Sequence, residues 1–272
     1  MNTAVIQRQY DELIAERYDQ DPHGLTGASL DRAIAQIEQA GLLSSELSPL
    51  RMLDLGMGTG LFCEKLRFSS DREIAPYGID ISAKMIEVAQ QRLPDLIAET
   101  DDAANVDRQF VGETFDLLCT HFITGFVPID HLAPRIHDKL EDGGYWSFVG
   151  GTSAAFPGLQ KRANSREVRW LFGAGKLDVS EATSTPADEH EVSQTMLAHG
   201  FELCTCETFR PQLDFPKFAD FMRFGYEGGW LTPFIEEIGL HKCGPVTRAL
   251  INTLFFPMRD HHDIVIALAR KV

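Results

Sequence analysis

The feature that most constrains this 272-residue chain is a glycine cluster that directly follows a short apolar run. The run RMLDL at 51–55 has the composition of a buried strand, and it leads into GMGTG at 56–60. Glycine has no Cβ, so such a loop can turn tightly and bring its backbone close to a ligand. A helical stretch through Phe62 and Leu66 follows, and its first N–H groups would face the loop. This unit predicts a binding site for a nucleotide-like ligand.

Strand and helix signals alternate after this unit. Further apolar strand segments occur at 75–81, 115–120 and 145–149, and a helix from 82 to 93 begins at Ser82 as its N-cap. Alternation of this kind is typical of a parallel sheet with helices on both faces. The sequence therefore predicts a doubly wound α/β core.

The alternation divides the chain into four parts. Residues 1–50 show helical spacing and predict an N-terminal helical cap, and 51–209 form the core. Residues 210–262 are rich in aromatic side chains and separate two strands by about fifty residues, which is too long for a hairpin. We expect them to form a helical lid over a substrate. Residues 263–272 supply the final core strand.

Composition limits the partners of the chain. There are 25 Lys and Arg against 40 Asp and Glu, a net charge of −15, so we expect no nucleic-acid binding. Five cysteines, an odd number, are predicted to be reduced thiols of a cytoplasmic protein. No signal-peptide pattern is evident, and no apolar run reaches the roughly 18 residues of a membrane span. We therefore expect no membrane partner.

Acidic residues behind the glycine loop narrow the ligand. A GxGxG pattern alone is weak, because NAD- and FAD-binding folds use related loops. Asp54 precedes the first glycine by two residues, and Asp80 ends the next strand, where a carboxylate can accept both hydroxyls of a ribose. A further acidic pair, Asp101 and Asp102, follows a third strand-like region.

Five segments follow one another in the order of a known family: MLDLGMGTGLF (52–62), YGIDIS (77–82), TDDAAN (100–105), TFDLLCTHF (114–122) and LEDGGYWSF (140–148). A lead helix, YDELIAERYDQ (10–20), precedes them. Together they resemble the class I S-adenosylmethionine-dependent methyltransferases, especially the small bacterial kind that acts on small molecules. The resemblance implies a Rossmann-like, doubly wound, seven-stranded sheet that is mostly parallel with an antiparallel last strand. It also implies S-adenosylmethionine as the cofactor, whose cationic sulfonium suits an acidic chain.

The resemblance assigns ten residues to cofactor binding: Tyr18, Asp54, Gly56, Gly58, Gly60, Asp80, Ile81, Met85, Asp102 and Ala103. The glycines would line the methionine moiety, and Asp54 would support the loop or reach the amino group through water. Asp80 would hold the ribose, and Tyr18 would close over the carboxylate. Asp102 would accept the adenine amino group, although Asp101 is an alternative. Met85 would pack on the adenine with Ile81, or serve as a plain core residue.

Three histidines are the catalytic candidates. His121 follows the strand at 115–120, and its ordinary pKa near 6.5 would suit proton removal from an acceptor. The alternative is a loop histidine bonded to backbone. His261 and His262 precede the last strand as a second candidate cluster, or as a polar strand entry. Adjacent residues of an extended segment point to opposite faces, so we expect no metal site there.

Candidate substrate contacts lie beside His121 and in the lid. Phe122 and Phe126 could line the acceptor pocket next to the histidine. In the lid, Tyr226 and Trp230 stand among glycines, which suits a mobile cover. Arg223 and other lid arginines could pair with an acidic substrate, or they are solvated surface charges.

These observations predict methyl transfer to an O, N or C atom of a small, partly apolar metabolite that could also carry an acidic group. Other readings of the same scaffold stay open. They are an enzyme of another class, such as a cyclase, decarboxylase or non-methylating user of S-adenosylmethionine, and a non-catalytic binding module. An NAD-dependent oxidoreductase is a further alternative, which Gly60 and Asp102 disfavour. The expected partner is a small-molecule substrate, with a homodimer as an open alternative.

Overall fold

A seven-stranded sheet with helices on both faces forms the centre of the protein, as a computed structural model shows. The sheet runs in the order β3–β2–β1–β4–β5–β9–β6. The structure describes residues 7–15, 17–44, 48–172, 184–237 and 239–272. The first six residues of the predicted cap and residues 173–183 of the polar stretch before β6 lie outside the described residues.

Nine strands are present in the described part of the chain: β1 (Leu50–Leu55), β2 (Ile74–Asp80), β3 (Ile97–Thr100), β4 (Phe115–His121), β5 (Leu140–Gly151), β6 (Phe201–Phe209), β7 (Gln212–Phe215), β8 (Met258–His261) and β9 (Ile264–Lys271). The first five pair in parallel. The last strand, β9, runs antiparallel between β5 and β6. This arrangement confirms the predicted sheet, including its antiparallel last strand.

Ten α-helices are described: α1 (Leu25–Gln39), α2 (Leu61–Phe68), α3 (Ala83–Arg92), α4 (Ile129–Lys139), α5 (Pro157–Ala163), α6 (Arg166–Phe172), α7 (Glu189–Ala198), α8 (Phe218–Met222), α9 (Thr232–Glu237) and α10 (Pro245–Phe255). Short π- and 3₁₀-turns connect them. The sequence predicts no helix at α5 and α6, where small and polar residues obscure the periodicity. None of the described helices is long and apolar enough to cross a membrane.

Both faces of the sheet are buried, because side chains alternate along its strands. In β1, Leu50 and Met52 join a hydrophobic cluster with α1, α2 and α3 on one face. Leu53 and Leu55 join a second cluster with α4 and α7 on the other face. Two helical layers are therefore needed to cover one sheet, which is the doubly wound arrangement.

A two-stranded antiparallel ribbon, which the sequence does not predict, holds the two ends of the lid together. β7 pairs antiparallel with β8, so that Gln212 lies opposite His261 and Phe215 opposite Met258. Helices α8, α9 and α10 lie between the two strands. The ribbon joins the start of the insertion to its end, and it returns the chain to β9 directly beside the core.

Candidate active site

The candidate site lies at the carboxyl edge of the parallel strands, where β1, β2 and β4 all end. The glycine loop follows β1, Asp80 is the last residue of β2, and His121 is the last residue of β4. Parallel strands bring these ends to one edge of the sheet, which is where open α/β sheets bind their ligands.

The glycine loop needs glycine for two different reasons. Gly56 has a φ of +70°, and a Cβ there would lie 2.2 Å from Ile123 Cγ2. Gly58 has a φ of +55°, and its nearest obstacle would be Tyr18 at 3.8 Å. Gly60 instead packs against α3, where a Cβ would stand 3.2 Å from Ala89 Cβ. The first two glycines therefore shape the pocket, whereas Gly60 holds the loop against the core.

Asp80 is held by the backbone on both oxygens. Gly58 N–H donates to Oδ2 at 2.8 Å, and Ser82 N–H donates to Oδ1 at 2.9 Å. Burial raises the pKa of Asp80 to about 6, and these backbone hydrogen bonds act in the opposite direction. Each carboxylate oxygen can accept a further hydrogen bond. The residue is thus a fixed acceptor at the mouth of the loop.

The two acidic residues after β3 differ in position: the Asp101 side chain bonds within the following turn, whereas Asp102 faces the pocket. Asp101 accepts hydrogen bonds from the side chains of Asn105 and Gln109, at 2.8 and 2.6 Å. Asp102 caps the following 3₁₀-turn through Ala104 N–H, and it lines the pocket together with Ala103. The geometry therefore favours Asp102 over Asp101 as a ligand contact.

A pocket opens between the glycine loop and the N-terminal segment, and we call it the loop pocket. Its lining is Tyr10, Tyr18, Gly56, Gly58, Asp80, Ile81, Met85, Asp102, Ala103, His121, Phe122, Ile123, Phe126 and Val127. Eight of the ten residues assigned to cofactor binding are in this lining, and Asp54 and Gly60 are not. Sequence reasoning missed Tyr10, Ile123 and Val127. Tyr10 lies in the lead helix, Ile123 directly follows the motif at 114–122, and Val127 follows the candidate substrate contact Phe126.

Asp54 lies behind the loop rather than on the pocket wall. It is buried, its Oδ1 has no hydrogen-bond partner in the described chain, and burial raises the pKa of its carboxyl to about 8. An unpaired buried carboxyl is costly, and a cationic group nearby would relieve that cost. The α-ammonium of S-adenosylmethionine is such a group, so the site chemistry fits this cofactor.

The N-terminal segment is tied over the loop pocket at two points. The Asp11 carboxylate accepts a hydrogen bond from the Ser82 hydroxyl at 2.6 Å. Asp19 accepts one from the Thr59 hydroxyl and pairs with Arg92, both at 2.6 Å. Tyr10 and Tyr18, each next to one of the tied aspartates, reach the pocket. Burial raises the pKa of both phenols, so each stays a protonated donor.

A second pocket shares part of the wall of the loop pocket, and we call it the aromatic chamber. Its lining is Tyr10, Tyr18, Phe122, Thr124, Gly125, Phe126, Gly151, Thr152, Ala155, Phe156, Leu159, Gln160, Thr185, Gly228, Gly229, Trp230, Leu231 and His262. Four residues, Tyr10, Tyr18, Phe122 and Phe126, line both spaces. The lid contributes Trp230 and its neighbours, so insertion and core meet at this chamber.

His121 lines the loop pocket, but its chemistry differs from the sequence expectation. It ends β4 instead of following it, and its Nε2 lies 3.0 Å from the Ser147 hydroxyl rather than against backbone. Burial lowers its pKa to about 3. The residue is therefore neutral and a weak base near pH 7.

His261 and His262 face opposite ways, as expected for adjacent residues in extended backbone. His262 lines the aromatic chamber and stacks on Phe156 with a centroid distance of 5.2 Å, and burial lowers its pKa to about 4. His261 lies 3.3 Å from Asp263 on the outer side and is absent from both linings. Among the described residues, no group of three or more His, Cys, Asp or Glu could hold a metal ion.

Some of the predicted substrate contacts line the aromatic chamber, and others lie outside it. Phe122 and Trp230 meet edge to face at 4.8 Å on the chamber wall, and Phe126 lies beside them. Arg223 pairs with Asp220 at the surface, and the Tyr226 hydroxyl donates to Glu236 at 2.6 Å. Both of these lid residues border a separate surface groove. Arg223 and Tyr226, which the sequence predicts as substrate contacts, therefore lie outside the linings of both the loop pocket and the aromatic chamber.

The comparisons with known proteins agree with this geometry. Residues 52–144 match the family described as a methyltransferase domain. A crystal structure of a candidate methyltransferase from Bacillus halodurans is similar, with a TM-score of 0.56 at 15% identity over 88% of this chain and 98% of that chain. No curated protein matches the chain.

Two further structures share the fold. An S-adenosylmethionine-dependent methyltransferase from Thermotoga maritima has a TM-score of 0.51 at 14% identity, over 98% of this chain and all of that chain (100%). Phosphoethanolamine N-methyltransferase 2 of Haemonchus contortus, in complex with phosphomonomethylethanolamine and S-adenosylhomocysteine, has a TM-score of 0.50 at 17% identity, over 89% and 52%. At such identities the likeness establishes the fold.

Proposed function

We propose that the chain is a class I S-adenosylmethionine-dependent methyltransferase, as the methyltransferase-domain match over residues 52–144 supports, and that it transfers a methyl group from S-adenosylmethionine to an uncharged, partly apolar small molecule. The observation that carries this proposal is the shared wall. The loop pocket has the polar groups of a nucleoside site, and the aromatic chamber beside it has the walls of an acceptor site. The two spaces meet at Tyr10, Tyr18, Phe122 and Phe126.

Within the loop pocket, each part of the cofactor has a candidate partner. Asp80 would accept the ribose hydroxyls, and Asp102 would accept the adenine amino group. The unpaired Asp54 behind the loop would offset the charge of the α-ammonium. Met85 is fully buried, in a small hydrophobic cluster with Ile14 and Ala15, and also reaches the pocket, so it can serve both core and adenine.

An uncharged acceptor is supported by the described part of the chamber lining, which offers no side chain that could pair with a charge. Among the described residues, no Lys, Arg, Asp or Glu lines the aromatic chamber. Burying an ion without an opposite charge beside it costs roughly several kcal/mol of binding free energy. The alternative of an acidic acceptor relied on lid arginines such as Arg223, which lies at the surface.

Positioning, rather than proton removal, would be the main task of the chain. When bound, S-adenosylmethionine supplies a methyl group already activated on a sulfonium, so an aligned acceptor atom reacts by in-line displacement. His121 and His262 both have pKa values far below neutrality, which makes them hydrogen-bonding groups rather than strong bases at pH 7. The proton of an acceptor hydroxyl would leave to solvent or through one of them as the new bond forms.

Transfer can be tested with S-adenosylmethionine carrying a labelled methyl group. The purified protein is incubated with matched neutral and anionic small aromatic compounds, and products are analysed by mass spectrometry. We expect labelled products from neutral compounds, with S-adenosylhomocysteine formed in equal amount. Transfer only to anionic compounds would refute the acceptor class. Tight cofactor binding without transfer to any compound would favour a non-methylating enzyme or a binding module.

A further inference from the structure

Three buried polar atoms around the aromatic chamber have no hydrogen-bond partner among the described residues. Thr124, Thr152 and His262 all line it, and their exposed fractions are 1%, 3% and 5%. In the described part of the chain, the two threonine hydroxyls and His262 Nδ1 make no hydrogen bond. Buried polar groups in folded proteins are nearly always paired, so three unpaired groups around one cavity indicate a ligand that pairs with them.

The walls around these groups are aromatic and held in place. Phe156 stacks on the His262 ring at 20°, and Trp230 meets the same ring edge-on at 5.6 Å. Phe122 and Phe156 have φ values of +61° and +53°, in the left-handed region that non-glycine residues seldom adopt. Backbone strain of this kind collects at ligand sites. A flat apolar ligand fits such walls.

Two glycines at the end of β5 leave the polar groups uncovered. A Cβ at Gly150 would lie 2.7 Å from Phe148 Cζ and 2.8 Å from Thr124 Oγ1, and a Cβ at Gly151 would lie 3.0 Å from both Nε2 and Cε1 of His262, the latter bonded to the unpaired Nδ1. Side chains at these positions would crowd the polar atoms, which glycine avoids. The sheet edge is therefore compatible with a ligand close to both residues.

We propose that Thr124, Thr152 and His262 form the site that binds the hydroxyl group of a neutral aromatic acceptor and sets its position beside the cofactor. A threonine hydroxyl and a neutral imidazole can each donate and accept. A ligand hydroxyl also does both, so it matches all three groups, whereas a carboxylate would find no Lys or Arg among the lining residues that the structure describes. The inference rests on the proposed function for its role, but its binding chemistry can be measured separately.

Ligand binding is tested with three probes that differ in one substituent: 2-naphthol, naphthalene and 2-naphthoate. Dissociation constants are measured by fluorescence titration of the full chain, with and without saturating S-adenosylhomocysteine. We expect 2-naphthol to bind about tenfold or more tightly than either other probe, since neither reproduces a neutral donor and acceptor. Equal affinity for 2-naphthol and naphthalene, or no binding of 2-naphthol at millimolar concentration, would overturn the proposal.

Variants then locate the site. Thr124→Val and Thr152→Val remove a hydroxyl at constant shape, and His262→Phe keeps the ring that stacks on Phe156. Each should weaken 2-naphthol binding by about threefold to tenfold and leave naphthalene binding unchanged. Thr232→Val is the matched control, because Thr232 is also buried with an unpaired hydroxyl but lies outside both linings. An equal loss in the control would overturn the assignment.

The readouts separate this proposal from the proposed function. Loss of naphthol binding in the three chamber variants, in a protein that transfers no methyl group, would sustain the site and refute methyl transfer. Methyl transfer to neutral acceptors with an unchanged acceptor KM in all three variants would support methyl transfer and refute the hydroxyl-binding site. Cofactor affinity, which none of these side chains should affect, reports whether each variant is folded.

Discussion

Two buried carboxylates of the site have opposite surroundings. Asp80 receives hydrogen bonds from the backbone of Gly58 and Ser82, whereas Asp54 Oδ1 receives none within the described chain. The pKa of Asp80 is accordingly raised only to about 6, and that of Asp54 to about 8. Backbone donors thus keep Asp80 ready to accept from a ligand, while Asp54 would gain most from a bound cation.

Replacing Asp80 by alanine should weaken S-adenosylhomocysteine binding by tenfold or more. A hydrogen bond to a charged acceptor is worth about 1.5–3 kcal/mol, and the loop also loses its bond at Gly58. Isothermal titration calorimetry measures the affinity. Asp101→Asn is the control, because the Asp101 carboxylate accepts hydrogen bonds from Asp102, Asn105 and Gln109 of the following turn. Unchanged affinity in Asp80→Ala would contradict the ribose assignment.

The raised pKa of Asp54 predicts a pH-dependent cost of folding. An acid whose pKa rises from 3.8 to about 8 on folding keeps its proton in the folded state and loses it in the unfolded chain. Its contribution to stability is present at low pH and is lost as pH rises from about 4 to about 8, by up to about 1.4 kcal/mol per pH unit.

Asp54→Asn removes this titration and should therefore stabilise the protein relative to wild type, by an amount that grows between pH 5 and pH 8. Urea unfolding without cofactor measures the free energy of unfolding at each pH. Asp116→Asn serves as a reference for an aspartate in the neighbouring strand β4. A wild-type-to-variant difference that does not change with pH would show that Asp54 is ionised throughout.

At the scale of elements, the N-terminal segment acts as a strap across the loop pocket. Arg92 at the end of α3 binds Asp19 of the strap, the backbone oxygen of Thr59 at 2.9 Å and the Glu64 carboxylate at 3.2 Å. One side chain thereby joins the strap, the glycine loop and α2. Tyr18, next to Asp19, is positioned over the pocket by this connection.

Arg92→Ala should loosen the strap and weaken cofactor binding by roughly threefold to tenfold, the size expected when a partly buried ion pair and its hydrogen bonds are lost. Arg67→Ala is the matched control, since Arg67 on α2 also pairs with an aspartate, Asp95, away from the pocket. Stopped-flow measurements should show the loss mainly as faster cofactor dissociation. An equal effect in both variants would indicate general destabilisation instead.

The lid brings residues from its middle and from its second end to one chamber. Trp230 lies in the middle of the insertion, and His262 follows the second strand of the ribbon. The ribbon of β7 and β8 makes this possible because it holds the two ends of the insertion together. Helical periodicity predicted that the segment covers a substrate region, but it could not show which lid residues face inward.

At the scale of the whole molecule, one sheet separates two hydrophobic clusters, and the ligand pockets lie at its edge. The α1 side and the α4 side each bury their own set of strand residues. A ligand at the strand ends contacts the strap, the loop and the sheet together. Its binding should therefore be coupled to the stability of the entire domain.

S-adenosylhomocysteine at about one hundred times its Kd should add about 2.7 kcal/mol to the free energy of unfolding. For a domain of this size the midpoint of thermal unfolding should rise by about 5–11 °C. Differential scanning calorimetry measures the shift. NAD at the same concentration is the comparison, and it should produce no shift. Stabilisation by NAD instead would support the oxidoreductase alternative.

The sequence by itself determined the sheet and the cofactor side of the site, because those signals are local. Alternation of strands and helices predicted the parallel core, and the glycine loop with Asp80 predicted a nucleoside-like pocket. Each signal lies within a few residues of one strand end. The tertiary structure was needed to choose Asp102 over Asp101, because the partners of Asp101 only become visible in the folded turn.

Only the tertiary structure decided the acceptor side. The aromatic chamber joins residues from the strap, the ends of β4 and β5, α5, and the middle and second end of the lid, which are far apart in sequence. Which face of a helix or ribbon turns inward depends on packing against the other elements, so Arg223 could not be excluded nor Thr152 included beforehand. Burial likewise changed His121 and His262 from ordinary titrating groups into neutral ones. The glycine loop specified where a nucleoside-like ligand would bind, and the packing of distant segments specified what could lie beside it.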